Sequence, residues 1–214
     1  MATIGVIDYG MGNLHSIAKA LEYVSNGDRV VVSYDPDHLK RANRLVLPGV
    51  GAIGHCMDEL RRLELNELVG EVIGEVPVMG ICLGMQVLLT HSEESNGIPG
   101  LDVFPGEVRR FPDPADSAGG PRLKVPHMGW NQVQQERRHP LWEGIDADSW
   151  FYFVHSYHVM PEERAHLFGS THYGLRFAST LLRDNVFAVQ FHPEKSQATG
   201  LTLLSNFLQW DGKA

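Results

Sequence analysis

The chain has 214 residues, 43% hydrophobic and 21% charged, with a formal net charge of −8; this fits one sizeable globular core, excludes a disordered chain, and argues against a non-specific nucleic-acid binder, which needs a basic face. No apolar run approaches the ~20 residues of a membrane helix, and the opening MATIGVIDYG has no basic lead of the signal-peptide kind. Two cysteines, Cys56 and Cys82, do not make a disulfide framework, so a cytoplasmic protein without membrane or nucleic-acid partners is expected.

Thr3–Ile7 reads as a buried strand. After the glycine turn Gly10–Gly12, residues Leu14, Ile17, Ala18, Leu21 and Val24 recur at helical spacing until Asn26-Gly27. Arg29–Ser33 is a β-branched strand, and Leu45–Leu47 is another, ended by Pro48-Gly49. Ala52–Leu63 and Glu67–Ile73 read as helices, with Cys56 a small core residue on the first. Val78–Ile81 is a strand and Met85–Leu89 the body of the next helix. This βαβα order predicts an α/β fold: a mostly parallel central sheet with helices on both faces.

The second half changes character. Asp102–Phe111 and Pro126–Gln134 read as strands around a polar loop, Pro112–Pro121, and Trp150–Val159 as an aromatic-rich strand. Phe177–Leu182 and Val186–Phe191 flank the hairpin signal Arg183-Asp184-Asn185, and Thr199–Trp210 closes the chain as an amphipathic helix. The whole of 1–214 reads as one domain with an antiparallel strand extension in its C-terminal half.

Three segments carry chemistry. In PVMGICLGMQ, an apolar strand runs into Gly80-Ile81-Cys82-Leu83-Gly84 and then a helix, the cysteine form of a nucleophile elbow. Its flanking glycines permit a sharp turn and close substrate approach, and the sulfur falls at a helix N-terminus that favours thiolate. A buried core cysteine in a tight turn is the plain alternative. QFHPE places His192 and Glu194 two residues apart, hence on one side of extended chain, as a base and its orienting carboxylate; a loop histidine beside a surface glutamate is the plain alternative, which the nearby elbow outweighs. LVLPGVG ends a strand with freed backbone N–H groups around Val50 and Gly51, which with the N–H of Leu83 make an oxyanion hole; a plain strand-ending turn is the alternative.

In this order and spacing, PGVG, GICLGMQ and QFHPE resemble the class I (triad) glutamine amidotransferases over almost the whole chain. The resemblance implies a flavodoxin-like α/β fold, Cys82 as nucleophile, His192 as acid/base and Glu194 as its orienter. It implies that Gly51 and Gln86 hold glutamine, with Glu94 and the Ser156-Tyr157 backbone gripping its α-amino and α-carboxylate ends. DYGMGNLHSI, PGVGAI, KVPHMGWN and FVHSYHV resemble one branch of that family, the glutaminase subunits of imidazole glycerol phosphate synthases. That branch implies a heterodimer with a (β/α)8 cyclase subunit, which takes up the ammonia to make imidazole glycerol phosphate and aminoimidazole carboxamide ribotide in histidine biosynthesis. The barrel must be another chain, since one takes ~250 residues. The loop Phe111–Leu123 departs from the family in being longer and richer in Pro and Gly. Two other readings stay open: a glutaminase serving a different synthase (anthranilate, GMP or pyridoxal phosphate), and a non-catalytic flavodoxin-like binding module.

The remaining features are quieter. Gly10-Met11-Gly12-Asn13 lacks the full dinucleotide and Walker patterns and reads as a structural turn. His155 and His158, three apart in a strand, are expected on opposite sides. No H-E-x-x-H or paired C-x-x-C occurs, so neither a metal nor an organic cofactor is expected. For the cluster His127–Asn131, aromatic core packing is the plain alternative to a partner-facing surface anchored by exposed aromatics; the resemblance favours the second, with Trp130 and Asn131 at the interface.

Overall fold

In the computed structural model, residues 1–112 and 124–213 are described; most of the polar loop expected over 112–121 lies outside them. Strands β1 (Thr3–Ile7), β2 (Arg29–Ser33), β3 (Arg44–Gly49) and β4 (Val78–Cys82) alternate with helices α1 (Leu14–Val24), α2 (Pro36–Leu39), α3 (Ile53–Arg62), α4 (Leu65–Val72) and α5 (Leu83–Gln86). There follow β5 (Leu89–Ser92), β6 (Ile98–Pro99), β7 (Phe104–Arg110), β8 (His127–Gln135), β9 (Ser149–His155), β10 (Tyr157–Pro161), β11 (Leu167–Tyr173), β12 (Leu175–Arg183), β13 (Val186–Val189) and α6 (Gln197–Gln209).

Strands β2, β1, β3, β4 and β13 lie side by side and all parallel. Successive side chains of a strand face opposite ways, so each strand feeds two cores. Ile7 enters one core with Leu60 of α3 and Leu68 of α4. Ile4 and Val6 enter the other with Leu21 of α1 and Leu204 of α6. Helices therefore cover both faces, as the apolar spacing predicts. Beyond β13 the sheet turns antiparallel: β12 returns through the Asp184-Asn185 turn, with Asp184 at φ 49°. β10 and β7 continue it, and β11, β8 and β9 branch from β12.

Parallel strands bring their C-terminal ends to one edge. There Gly49 of β3 is in register with Cys82 of β4, and Val189 of β13 with Ile81. Pro48-Gly49, Cys82 and the chain after Val189 therefore emerge together, where ligands bind in open α/β sheets.

Several elements differ from expectation. The helix read over Met85–Leu89 stops at Gln86, and Leu89 opens β5. The carbonyls of Val87, Leu88 and Leu89 are taken by N–H groups of residues 101–104 instead of a further helical turn. Gly100 permits this approach: a Cβ there would stand 2.1 Å from the Leu89 carbonyl oxygen. β11 was not expected because most of its residues are buried on both faces, which erases the alternation that marks a strand. The strand read over Trp150–Val159 breaks at Ser156, where the chain leaves its pairing with β8 for pairing with β7 and β12. That break resets the alternation, so His155 and His158 are not on opposite sides. Both pack on the Phe111 ring, at 5.2 and 4.9 Å between ring centres. No described helix is long and apolar enough to cross a membrane.

Candidate active site

Cys82 ends β4 and caps α5 at φ 56°, ψ −110°. A non-glycine residue in such a conformation costs of order 1–3 kcal/mol and persists only where the surroundings impose it. They impose it through Gly80 and Gly84, two residues to either side, though not in the way the sequence suggests. Neither glycine has a positive φ, and the space they leave is filled by backbone rather than by substrate. A Cβ on Gly84 would lie 1.8 Å from the Leu47 carbonyl oxygen, and one on Gly80 would lie 2.7 Å from that of Gly84. The turn is thus wedged between β3 and β4, and the strain falls on Cys82. Its buried Sγ lies 3.9 Å from the Val154 carbonyl oxygen and 3.8 Å from Nε2 of Gln190.

His192 approaches from the end of β13. Its backbone N–H donates to the Tyr152 carbonyl (2.9 Å). Ser196 locks the same turn: its hydroxyl donates to the His192 carbonyl (2.6 Å) and accepts from the Tyr152 N–H (3.0 Å). Nδ1 of His192 stands 2.8 Å from Oε1 of Glu194, both side chains being 3% exposed. The two meet across a short 3-10 turn, Pro193–Lys195, rather than along extended strand, because β13 already ends at Val189. Burial disfavours the charged ring, but Cys82 and Glu194 outweigh it and carry the His192 pKa up to about 10. Nε2 is buried and has no partner of hydrogen-bonding geometry, so it is the ring atom left to exchange a proton with whatever enters.

A cavity of about 320 Å³ gathers these groups, within the size range of small-ligand sites. Cys82, Leu83 and His192 line it together with Val50 and Gly51. Gln86, Glu94, Ser156 and Tyr157 line it too, so the expected substrate and oxyanion residues converge on the thiol. Glu194 sits behind His192, outside the cavity. Gly51, at φ 96°, makes the turn after Val50. Gln86 is 5% exposed, and its Nε2 donates to the Tyr157 carbonyl (3.1 Å) and to Oε1 of Gln190 (3.0 Å). Burial pushes the Glu94 carboxyl up, and its Oε2 accepts from the Ile53 N–H at 3.3 Å.

Sequence reasoning missed three neighbours. Gln190, fully buried, links Gln86 to the Cys82 sulfur; it stands in the QFHPE stretch but bears no group that suggests catalysis. Fully buried Tyr9 donates its hydroxyl to the Pro48 carbonyl (2.7 Å) and crowds Gly49, where a Cβ would lie 2.4 Å from that oxygen. It buttresses the turn that carries Val50 and Gly51. His155 lines the cavity, although its sequence position suggested only strand.

Residues 5–210 match the family described as Glutamine amidotransferase class-I. The chain belongs to the class I glutamine amidotransferases. Among relatives of this amidotransferase is the protein named imidazole glycerol phosphate synthase subunit HisH of Nitrosococcus oceani, 53% identical over 212 residues, 99% of each chain. The protein named imidazole glycerol phosphate synthase subunit HisH 1 of Pseudomonas aeruginosa is 54% identical over 213 residues, covering 100% of this chain and 99% of its own. The structure of PurLQS from Thermotoga maritima superposes with a TM-score of 0.72 at 17% identity, covering 98% of this chain and 99% of its own, and shares the fold.

Trp130 and Asn131 of the amidotransferase part company. Trp130 is 42% exposed beside exposed Met128 and Trp150, and packs edge-on against Tyr152 at 6.1 Å. Asn131, next along β8, turns to the other face, where its Nδ2 donates to the His172 carbonyl (3.0 Å) and reaches Nε2 of His127 (3.2 Å). Adjacent strand residues cannot share a face, so the two do not form one surface patch.

Proposed function

We propose that this chain hydrolyses glutamine to glutamate and ammonia through Cys82, His192 and Glu194. The observation that carries the reading is that the strained Cys82 and the buried His192, backed by Glu194, open on one cavity. His192 Nε2 takes the proton of the Cys82 thiol while Glu194 holds the ring at Nδ1. The sulfur attacks the side-chain carboxamide carbon. The resulting oxyanion is held by N–H groups at Val50–Gly51 and at Leu83, each such donor being worth ~10²–10³ in rate. His192 passes its proton to the departing ammonia as the C–N bond breaks, leaving a γ-glutamyl thioester on Cys82. Water, deprotonated by His192, attacks that carbon; glutamate leaves and the thiol is restored. Glu94 and the Ser156-Tyr157 backbone grip the α-amino and α-carboxylate ends, and Gly51 and Gln86 border the side chain.

The chain acts as one domain in the cytoplasm, as the glutaminase subunit of an imidazole glycerol phosphate synthase. Full-length similarity to the HisH proteins supports this partner over the anthranilate, GMP and pyridoxal phosphate synthases. The cyclase subunit, a (β/α)8 barrel, forms a heterodimer with it and receives the ammonia before water can protonate it. Trp130, on the exposed apolar face of β8 and β9, anchors that interface.

The test is reconstitution with the cyclase subunit of the same organism. The complex is expected to release one glutamate per imidazole glycerol phosphate formed. Cys82→Ala should lose glutamine-driven synthesis while retaining synthesis from ammonium salts. Loss of both reactions with the fold intact would contradict the assignment of Cys82.

A further inference from the structure

Behind the cavity wall lies a chain of side chains that the mechanism does not use. The Asn131 amide is oriented by its Oδ1, which accepts from the Gln132 N–H (2.8 Å), so its Nδ2 must donate to Nε2 of His127 (3.2 Å). Nδ1 of His127 lies 2.9 Å from Nε2 of His155, directly opposite across the β8–β9 pair. Nδ1 of His155 lies 2.7 Å from the Tyr157 carbonyl oxygen. A carbonyl can only accept, so His155 carries its proton on Nδ1. With a donor at one end and an acceptor at the other, three links leave each ring one proton, on Nδ1. The packing suits neutral rings: His127 is stacked between Phe153 and Tyr173, and burial lowers the His127 pKa to about 4 and the His155 pKa to about 3.

The end of this chain is where the fold needs it. Ser156 is where the backbone changes ladders: His155 is in register with His127 of β8, and Tyr157 with Arg110 of β7. Buried backbone polar groups must still be paired. The Ser156 carbonyl accepts from the Phe111 N–H (3.0 Å), and the Tyr157 carbonyl accepts from His155 and from Gln86. Those two residues line the cavity beside Cys82.

We propose that His155, itself held by His127 and Asn131, is a positioning residue that sets the Ser156-Tyr157 backbone for binding glutamine. The inference rests on the glutaminase reading and adds that a directed hydrogen-bond chain works beside the pairing of Tyr157 with Arg110 to fix this wall. Loss of the His155 donor leaves the Tyr157 carbonyl to the Gln86 amide alone and loosens the site for substrate, while the chemistry at Cys82 proceeds once glutamine is bound.

Steady-state kinetics of the complex with its cyclase subunit test this in wild type, His155→Leu and His155→Asn. Asparagine places an N–H close to the position of Nδ1. His155→Leu is expected to raise the KM for glutamine about tenfold, the scale of one buried hydrogen bond, with kcat changed less than about threefold. His155→Asn should recover most of that KM. Equal defects in both variants, or a wild-type KM in His155→Leu, would overturn the proposal. Should His155→Leu fail to fold, imidazole ¹⁵N spectra of the wild type decide. Both rings are expected as pure Nδ1–H tautomers, and an Nε2–H or a charged ring on His155 overturns the chain. A wild-type complex that releases no glutamate would instead refute the glutaminase reading.

Discussion

Nδ1 of His192 and Oε1 of Glu194 lie 2.8 Å apart with both side chains 3% exposed, so the carboxylate holds the imidazole where water cannot compete. A base held this way adds typically 10²–10⁴-fold to a rate. His192→Ala should lower kcat for glutamine hydrolysis by at least about a hundredfold, while Glu194→Ala should leave the ring present but free to turn. Glu194→Ala is therefore expected to lower kcat as well, and an unchanged kcat in that variant would remove Glu194 from the mechanism.

The buried histidines make stability depend on pH on both sides of neutrality. His127 and His155 are held by burial at about 4 and about 3, below the ordinary value of about 6.5. Below pH 6.5 the unfolded chain takes up protons that these rings refuse, so their contribution is intact above 6.5 and is lost as pH falls toward 4 and 3. His192 runs the other way: raised to about 10, it stabilises fully below 6.5, and that contribution is lost as pH rises through 10. Urea midpoints should therefore be highest near neutrality. The double variant His127→Asn/His155→Asn should flatten the acid limb; an unaltered limb would contradict buried neutral rings.

Two glycine-to-alanine changes should have opposite signs. At Gly84 the new methyl meets the Leu47 carbonyl oxygen at 1.8 Å, which only a backbone shift can relieve. Gly84→Ala should destabilise by about 3 kcal/mol or more, at or beyond the top of the usual overpacking range. At Gly70, inside α4, nothing lies within 4 Å. Gly70→Ala should stabilise by about 0.5–1 kcal/mol through helix propensity. Urea denaturation measures both.

Trp130 is large and exposed, with Met128 and Trp150 near it on the outer side of β8 and β9. Trp130→Ala should weaken association with the cyclase subunit by about 2 kcal/mol, the level of an aromatic interface anchor, without altering thermal unfolding of the free subunit. Unchanged affinity by titration calorimetry would place the interface elsewhere.

Much of this was legible in the sequence for physical reasons. The parallel core announced itself through β-branched strands such as Arg29–Ser33 and an amphipathic helix over Leu14–Val24, both formed as read. The site was legible because Cys82, His192 and Glu194 bear chemistry that reads residue by residue, and they sit at strand ends that a parallel sheet brings to one edge. What could not be read was set by contacts distant in sequence. The helix expected over Met85–Leu89 gave way to β5 because residues 101–104 compete for its carbonyls. The break at Ser156 is a choice between two ladders, and no local pattern records it. That Trp130 and Asn131 face opposite ways was, by contrast, already implied by reading Pro126–Gln134 as a strand. The buttress from Tyr9 to Pro48 spans 39 residues.

The central claim is that Cys82, and not Cys56, forms the covalent bond to glutamine. Cys56 is fully buried in α3, and burial pushes its thiol up to about 12, whereas Cys82 opens on the cavity. The complex with the cyclase subunit should be treated with a glutamine analogue bearing an electrophilic carbon in place of the carboxamide, and its peptides mapped by mass spectrometry. One adduct per chain is expected, on Cys82, slowed by added glutamine and abolished by Cys82→Ala. An adduct on Cys56, or labelling of Cys82 that glutamine does not slow, would contradict the account.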